Sequence, residues 1–203
     1  MADSINLAKS IEQPKNAPVS KKYLFMMLGH SGSGKSYFVR QLVKNMQVVR
    51  LNGDTLRIEM FGSVENTDKY RAIDPTLSKE KIFKALDYMT KQVLTAGHSV
   101  IYESNNNKRS IRQDLEEIAN EKKAMPVVVW VQTSSTVAIK RVQEREAAPD
   151  ARKFDVQKAC ETVERHITNT DEPGSDEKVI IIDGTAPFEQ QYASFQEQLS
   201  TIT

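Results

Sequence analysis

Eight consecutive residues, Gly29-His30-Ser31-Gly32-Ser33-Gly34-Lys35-Ser36, carry the clearest chemical signal in the chain. They read G-x-x-x-x-G-K-S, a loop whose backbone N–H groups cradle phosphate oxygens. The residue types suit that task. Glycines let the main chain wrap closely and enter positive φ. Lys35 offers a mobile positive charge to β- and γ-phosphates, and Ser36 offers a hydroxyl to Mg²⁺. Tyr23 to Leu28 is an apolar run of strand length, and Tyr37 to Met46 reads as a helix. The loop therefore ends at a helix N-terminus, where unpaired N–H groups and the helix dipole attract anions.

Three further groups have the chemistry of a transfer site. Asp54 follows the second apolar run, in Leu51-Asn52-Gly53-Asp54-Thr55-Leu56-Arg57. Ligands of open parallel sheets bind outside the carboxyl ends of the strands, so a carboxylate there can take a proton from an attacking hydroxyl. It can equally cap a helix that starts at Thr55. Arg57, one turn on, can hold an anionic group bidentately or remain a solvated surface arginine. Glu103 ends Ser99-Val100-Ile101-Tyr102-Glu103 and suits Mg²⁺, directly or through water, or is an ordinary loop glutamate. Asn105, Asn106 and Asn107 after it are turn formers and candidate acceptor contacts. Arg141 and Arg145 are four apart and share one face of a predicted helix. An arginine pair so spaced suits a phosphate between its members; a solvated basic face is the alternative. His30, His98 and His166 are isolated, and no Cys/His cluster has metal-ligand spacing.

The elements that must position these groups alternate. Strands are predicted near 22–28, 47–52, 99–103, 126–132 and 178–183. Helices are predicted near 35–46, 55–61, 78–96, 108–123, 135–147, 155–169 and 187–200. Continuous apolar strands such as Val127 to Val131 and Val179 to Ile182 suit a parallel sheet covered on both faces. The pattern predicts a three-layer α/β domain. Residues 1–20 are polar, with Pro14 and Pro18, and read as a flexible leader to a single domain over 21–203. A break in the helical pattern near 146–155 reads as a lid, the kind of element that excludes water during phosphoryl transfer. Asp183-Gly184-Thr185-Ala186-Pro187 is predicted to pass near the nucleotide base or to form an ordinary turn.

The composition narrows the class. With 203 residues, 39% hydrophobic, 27% charged and a net charge of +1, the chain reads as one soluble domain without a general nucleic-acid or membrane signature. The apolar runs are too short to span a bilayer, and no signal-peptide core follows the N-terminus. A single cysteine, Cys160, fits a reducing cytoplasm. A guanine-binding N-K-x-D motif is missing.

Taken together, these segments resemble the branch of P-loop kinases that includes phage-type polynucleotide 5′-hydroxyl kinases and zeta-toxin-like kinases, grouped with AAA-type ATP-binding proteins. The resemblance covers roughly residues 22–200. It rests on Gly29 to Ser36, Gly53 to Arg57, Gly97 to Asn105, Arg141 to Arg145 and Ile181 to Gly184. It implies a nucleotide-kinase-like fold with a five-stranded parallel sheet in the order 2-3-1-4-5. It also implies that Asp54 is a general base, that Arg57 holds a phosphate of the acceptor, and that Arg141 and Arg145 belong to the lid. The family usually has aspartate then threonine-asparagine where this chain has Glu103-Ser104-Asn105, and often proline at His30. Leu51 to Asp54 also resembles the acceptor segment of adenylylsulfate kinases.

The expected function is an ATP-dependent kinase. It uses ATP and Mg²⁺ to phosphorylate a hydroxyl of a small molecule or of a nucleotide or nucleic-acid end. Gly29 to Ser36 bind the nucleotide, Ser36 and Glu103 hold the metal, Asp54, Arg57 and Asn105 bind the acceptor, and Lys35, Asp54, Arg141 and Arg145 are catalytic. Lys69, Arg71, Lys108, Arg109 and Arg112 would line a channel for a nucleic-acid end. The alternative is a hydrolysing ATPase or nucleotide-switched binding protein.

Overall fold

The computed structural model describes residues 21–74, 76, 80–146 and 154–202. The leader 1–20 and most of the expected lid, 147–153, lie outside them. Five strands form one parallel sheet: β1 (Tyr23–Leu28), β2 (Val48–Asn52), β3 (Ser99–Glu103), β4 (Met125–Gln132) and β5 (Val179–Asp183). Their order is β2-β3-β1-β4-β5, as the resemblance implied.

β1 lies at the centre because it can face two cores at once. Leu24, Met26 and Leu28 point to one side, with Val100, Tyr102 and Val128. Phe25 and Met27 point to the other, with Ile101, Val127, Val129 and Val131. Two buried faces explain why these strands read as continuous apolar runs rather than as alternating ones. α4 (Ile82–Thr95) and α5 (Arg109–Glu121) cover the first face, while α1 (Lys35–Asn45) and α8 (Phe188–Ile202) cover the second. Phe25, Phe38 and Phe195 meet there with ring centroids 5.5 and 5.8 Å apart. Each buried phenylalanine contributes about 1.5–3 kcal/mol, against about 0–1 kcal/mol for a surface ion pair. The apolar layers therefore fix the sheet–helix geometry.

The remaining helices are α2 (Gly53–Phe61), α3 (Val64–Ile73), α6 (Ser135–Glu144) and α7 (Val156–Thr168). α6 and α7 pack through Ala138, Val142, Ala159 and Val163. α4 stops as predicted at Gly97, whose φ is 92°, with the His98 amide donating to Val93 O at 3.2 Å. α3 was not anticipated. Its sequence has little apolar periodicity; a Ser63 cap on the Asn66 amide (3.1 Å) and contact of Phe61 with Tyr70 hold it.

The strand order reverses at β1, with β3 on one side and β4 on the other. The crevice at the carboxyl ends is where such sheets bind ligands. In register, Asn52 stands beside Glu103 and Leu28 beside Trp130, so the loops after β1, β2 and β3 open into one space.

Candidate active site

The phosphate-binding loop leaves β1 at Gly29 and enters α1 at Lys35. Gly29, Gly32 and Gly34 have φ of 138°, 77° and 104°. Gly32 shows why the position needs glycine: a Cβ there would lie 2.4 Å from Ala138 O. The Lys35 ammonium folds back onto its own loop, donating to Gly29 O and, at 2.9 Å, to His30 O. Burial pushes its pKa down to about 8; Glu103 opposes that shift, Arg145 adds to it, and Asp54 opposes it.

Ser36 Oγ donates to Glu103 Oε1 at 2.6 Å. The other carboxylate oxygen accepts from Arg50 Nε at 2.6 Å. Glu103 is buried. Burial raises its pKa, but hydrogen bonds from Ser36, Arg50 and Asn52 and the Arg50 charge outweigh that, and the carboxyl stays below its usual range. The side chain is longer than the family's aspartate, yet it reaches the loop serine directly.

Asp54 does not cap its helix. α2 starts two residues earlier than predicted, at Gly53, and the cap is Asn52, whose Oδ1 accepts from the Thr55 amide at 2.7 Å. Asp54 sits in the first turn with its side chain largely exposed. Its Oδ1 accepts from Arg57 Nη1 at 2.5 Å. Arg57 is mostly buried rather than solvated, at 19% side-chain exposure. Asn105 is exposed on the cavity rim. Asn106 is a structural pin, its buried amide donating to Met27 O and Tyr102 O at 3.1 Å.

Arg141 and Arg145 do not share a helix face. α6 ends at Glu144, and Arg145 is its extended C-terminal cap. Arg141 is tied to the loop region, donating to Gly184 O at 2.9 Å and Gly32 O at 3.4 Å. Gly184 packs so closely that a Cβ would lie 2.0 Å from Ser33 O. The 183–187 segment thus braces the phosphate loop.

These parts line one cavity of about 660 Å³: the whole loop from Gly29 to Ser36, Asp54, Arg57, Glu103, Asn105, Arg141 and Arg145. The residues nominated as nucleotide-binding, metal-binding, acceptor-binding or catalytic all line it, whereas Asn106 and the basic run Lys108, Arg109 and Arg112 do not. Lys35, Arg40, Arg57, Arg141 and Arg145 give it five cationic side chains against Asp54, Glu103 and Glu144, a balance suited to an anionic ligand.

The sequence reading missed Arg40, Arg50, Asn52 and His166. Only His166 left a signal: it follows Thr162 and Val163 on the buried face of α7 by four and three residues. Its Nδ1 accepts from the Ser31 amide at 3.1 Å. His30 lies nearby, Nε2 2.8 Å from Thr133 O. The proposed basic channel is not built as expected. Arg112 is fully buried against Glu177, Arg109 pairs with Glu116 and Asp176, and Lys108 pairs with Asp171. Lys69 is exposed on α3. No group of three or more metal-ligating His, Cys, Asp or Glu occurs among the described residues, and none of their helices is long and apolar enough to cross a membrane.

A family model for the AAA domain (AAA_33) matches residues 24–168, which include the loop, Asp54, Glu103, Arg141, Arg145 and His166. The chain belongs to the AAA domain family. Solved structures of similar fold include a sugar kinase from Janibacter sp. HTCC2649, 19% identical over 89% of this chain and 95% of that one, with a TM-score of 0.64. A gluconokinase from Sinorhizobium meliloti 1021 is 18% identical over 89% and 93%, TM-score 0.60. Chaetomium thermophilum Kti12, in complex with ADP-AlF3, is 19% identical over 89% and 99%, TM-score 0.64. At these identities the likeness establishes the fold of this AAA-family chain, a kinase-like P-loop domain. No curated protein matches it in sequence.

Proposed function

We propose that this protein is an ATP-dependent kinase that phosphorylates a hydroxyl of a small molecule. One observation carries the reading: Lys35 and Ser36 of the phosphate loop share a single cavity with Asp54 and Arg57 beyond the second strand. A donor site and an acceptor site that open into one space are what phosphoryl transfer needs, since its catalysis is mostly positioning and charge stabilisation.

In this reading Gly29 to Ser36 hold the β- and γ-phosphates, with Lys35 leaving its loop carbonyls for phosphate oxygens. Ser36 Oγ and Glu103 Oε1, oxygen donors 2.6 Å apart, fit Mg²⁺. When bound, Mg²⁺ neutralises charge on the β,γ-phosphates. Arg57 fixes one oxygen of Asp54 and leaves the other to orient the acceptor hydroxyl and take its proton. The new O–P bond forms as the bond from the γ-phosphorus to the β,γ-bridging oxygen breaks, and the electron pair leaves with ADP. Arg141 and Arg145 stabilise the transferring group. Asn105 contacts the acceptor.

The cavity's volume and the engagement of Arg112, Arg109 and Lys108 in ion pairs favour a small acceptor over a nucleic-acid end. The sugar kinase and gluconokinase of similar fold support an alcohol as the class. The test is incubation with labelled ATP, Mg²⁺, and a panel of polyols, sugars, nucleosides and 5′-hydroxyl oligonucleotides. Label should move to a small hydroxyl compound. Steady ATP hydrolysis with no phosphorylated product would sink the kinase reading and favour a nucleotide-switched ATPase.

A further inference from the structure

One side chain on the wall of the phosphate cavity has no part in that reaction. His166 comes from α7, 135 residues away from the loop in the chain, and its Nδ1 accepts the Ser31 amide proton at 3.1 Å. That bond fixes the tautomer. A neutral imidazole has one accepting nitrogen and one N–H; with Nδ1 accepting, the hydrogen is on Nε2. Burial, together with the nearby Lys35, Arg165 and His30, holds the ring's pKa down at about 4, so it is neutral at physiological pH. Among the described residues Nε2 makes no hydrogen bond, although the ring is half-buried and lines the cavity. The ring thus presents an oriented donor beside Lys35, in a cavity with five cationic side chains.

We propose that His166 is a nucleotide-binding residue that holds Ser31 with Nδ1 and donates from Nε2 to the terminal phosphate of a bound nucleoside triphosphate. The proposal rests on the nucleotide-binding half of the function above and not on the acceptor. The terminal phosphate is the partner because Lys35, which lines the same cavity, is the group that serves the β- and γ-phosphates. The contact makes α7 a wall of the site. α6 and α7 share the core of Ala138, Val142, Ala159 and Val163, which holds α7 in place against the site. A histidine that merely braced the loop would need only Nδ1.

His166→Asn separates the two roles. Its amide oxygen can replace Nδ1 on the Ser31 amide, but it has no donor at the place of Nε2. Calorimetric titration of the full chain with ADP and with a non-hydrolysable ATP analogue should give ADP affinity within about twofold of wild type. Affinity for the triphosphate should fall about tenfold to a hundredfold, the range for a lost hydrogen bond to a charged group. Unchanged triphosphate affinity, or equal losses for both nucleotides, overturns the proposal. Should the variant melt early, ring ¹⁵N spectra of the wild type decide. The triphosphate analogue should protect and shift His166 Nε2–H while ADP does not; a ring indifferent to the triphosphate overturns it. A wild type that binds neither nucleotide overturns the function and this inference together. One that binds both but phosphorylates nothing removes the kinase reading alone, and the affinity comparison still decides His166.

Discussion

Asn52 Oδ1 accepts the Thr55 amide hydrogen at 2.7 Å, and that bond frees Asp54 from capping its own helix. A carboxylate used as a cap spends an oxygen on backbone N–H groups. Here the cap is neutral, and among the described residues the hydrogen-bond partner of Asp54 is Arg57, at 2.5 Å. Asp54→Asn should leave ATP affinity within a few-fold and lower phosphoryl transfer by roughly 10²–10⁴, the usual worth of a general base. Isothermal nucleotide binding and product assays on the same preparation check both halves; near-normal turnover would remove Asp54 from the role. Asn52→Ala should cost about 1 kcal/mol as a lost cap and also loosen Glu103, to which Asn52 bonds.

Lys35 gives a pH dependence. Its ammonium pKa is pushed down to about 8 in the folded chain, against an ordinary 10.5. Below about 8 both folded and unfolded chains carry the proton, so the cost of burying the charge is fully present; it is relieved as pH rises toward 10.5. Binding runs the other way. Phosphate oxygens need the charged form, so nucleotide affinity should fall as pH rises above about 8, and binding there should take up a proton. Titrations in buffers of different ionisation enthalpy measure that uptake. Lys35→Arg should flatten the pH profile, because guanidinium keeps its charge.

The fold and much of this site are legible in the sequence because they depend on local patterns. Long apolar runs mark β1, β4 and β5, shorter ones mark β2 and β3, and G-x-x-x-x-G-K-S marks the turn that needs three glycines at positive φ. What stayed hidden depends on partners distant in the chain. Nothing near Asp54 says that Asn52 takes the cap, since both residue types cap well. The spacing of Arg141 and Arg145 predicts a common face only if the helix continues, and α6 stops between them at Glu144. The face of His166 is readable from Thr162 and Val163, but its partner is 135 residues away. The basic run Lys108 to Arg112 looked free because, apart from Glu116, its acids, Asp171, Asp176 and Glu177, come more than sixty residues later.

Gly184 tests whether the loop after β5 braces the phosphate site. A Cβ at that position would lie 2.0 Å from Ser33 O and 2.3 Å from Thr133 Oγ1, and the first of these is backbone. Gly184→Ala should therefore push the phosphate loop and break the Arg141 bond to Gly184 O. Nucleotide affinity should drop at least about tenfold, comparable to losing a charge-assisted hydrogen bond, while far-ultraviolet circular dichroism at 20 °C stays about the same. Full affinity would mean that the 183–187 segment moves independently of the loop.

Arg112 and Glu177 set the stability of the face that carries the β3 loop. Both side chains are fully buried, with Nε to Oε1 at 2.7 Å and Nη2 to Oε2 at 3.0 Å. Arg112 also donates to Asn106 O at 3.0 Å, next to the amide that pins β1 to β3. Burial alone would raise the Glu177 pKa, but the Arg112 hydrogen bond, the Gly174 amide and the charges of Arg112 and Arg109 lower it. A lowered carboxyl stabilises the fold above its ordinary pKa, and that contribution is lost as pH falls through the folded value. Arg112→Ala leaves a buried carboxylate without its partner and should cost about 3–5 kcal/mol in urea unfolding at neutral pH. Arg112→Met with Glu177→Leu removes both charges and should recover most of the loss, because apolar replacement of a buried pair is often neutral. If the single variant unfolds at the wild-type urea concentration, the pair does not hold this face together.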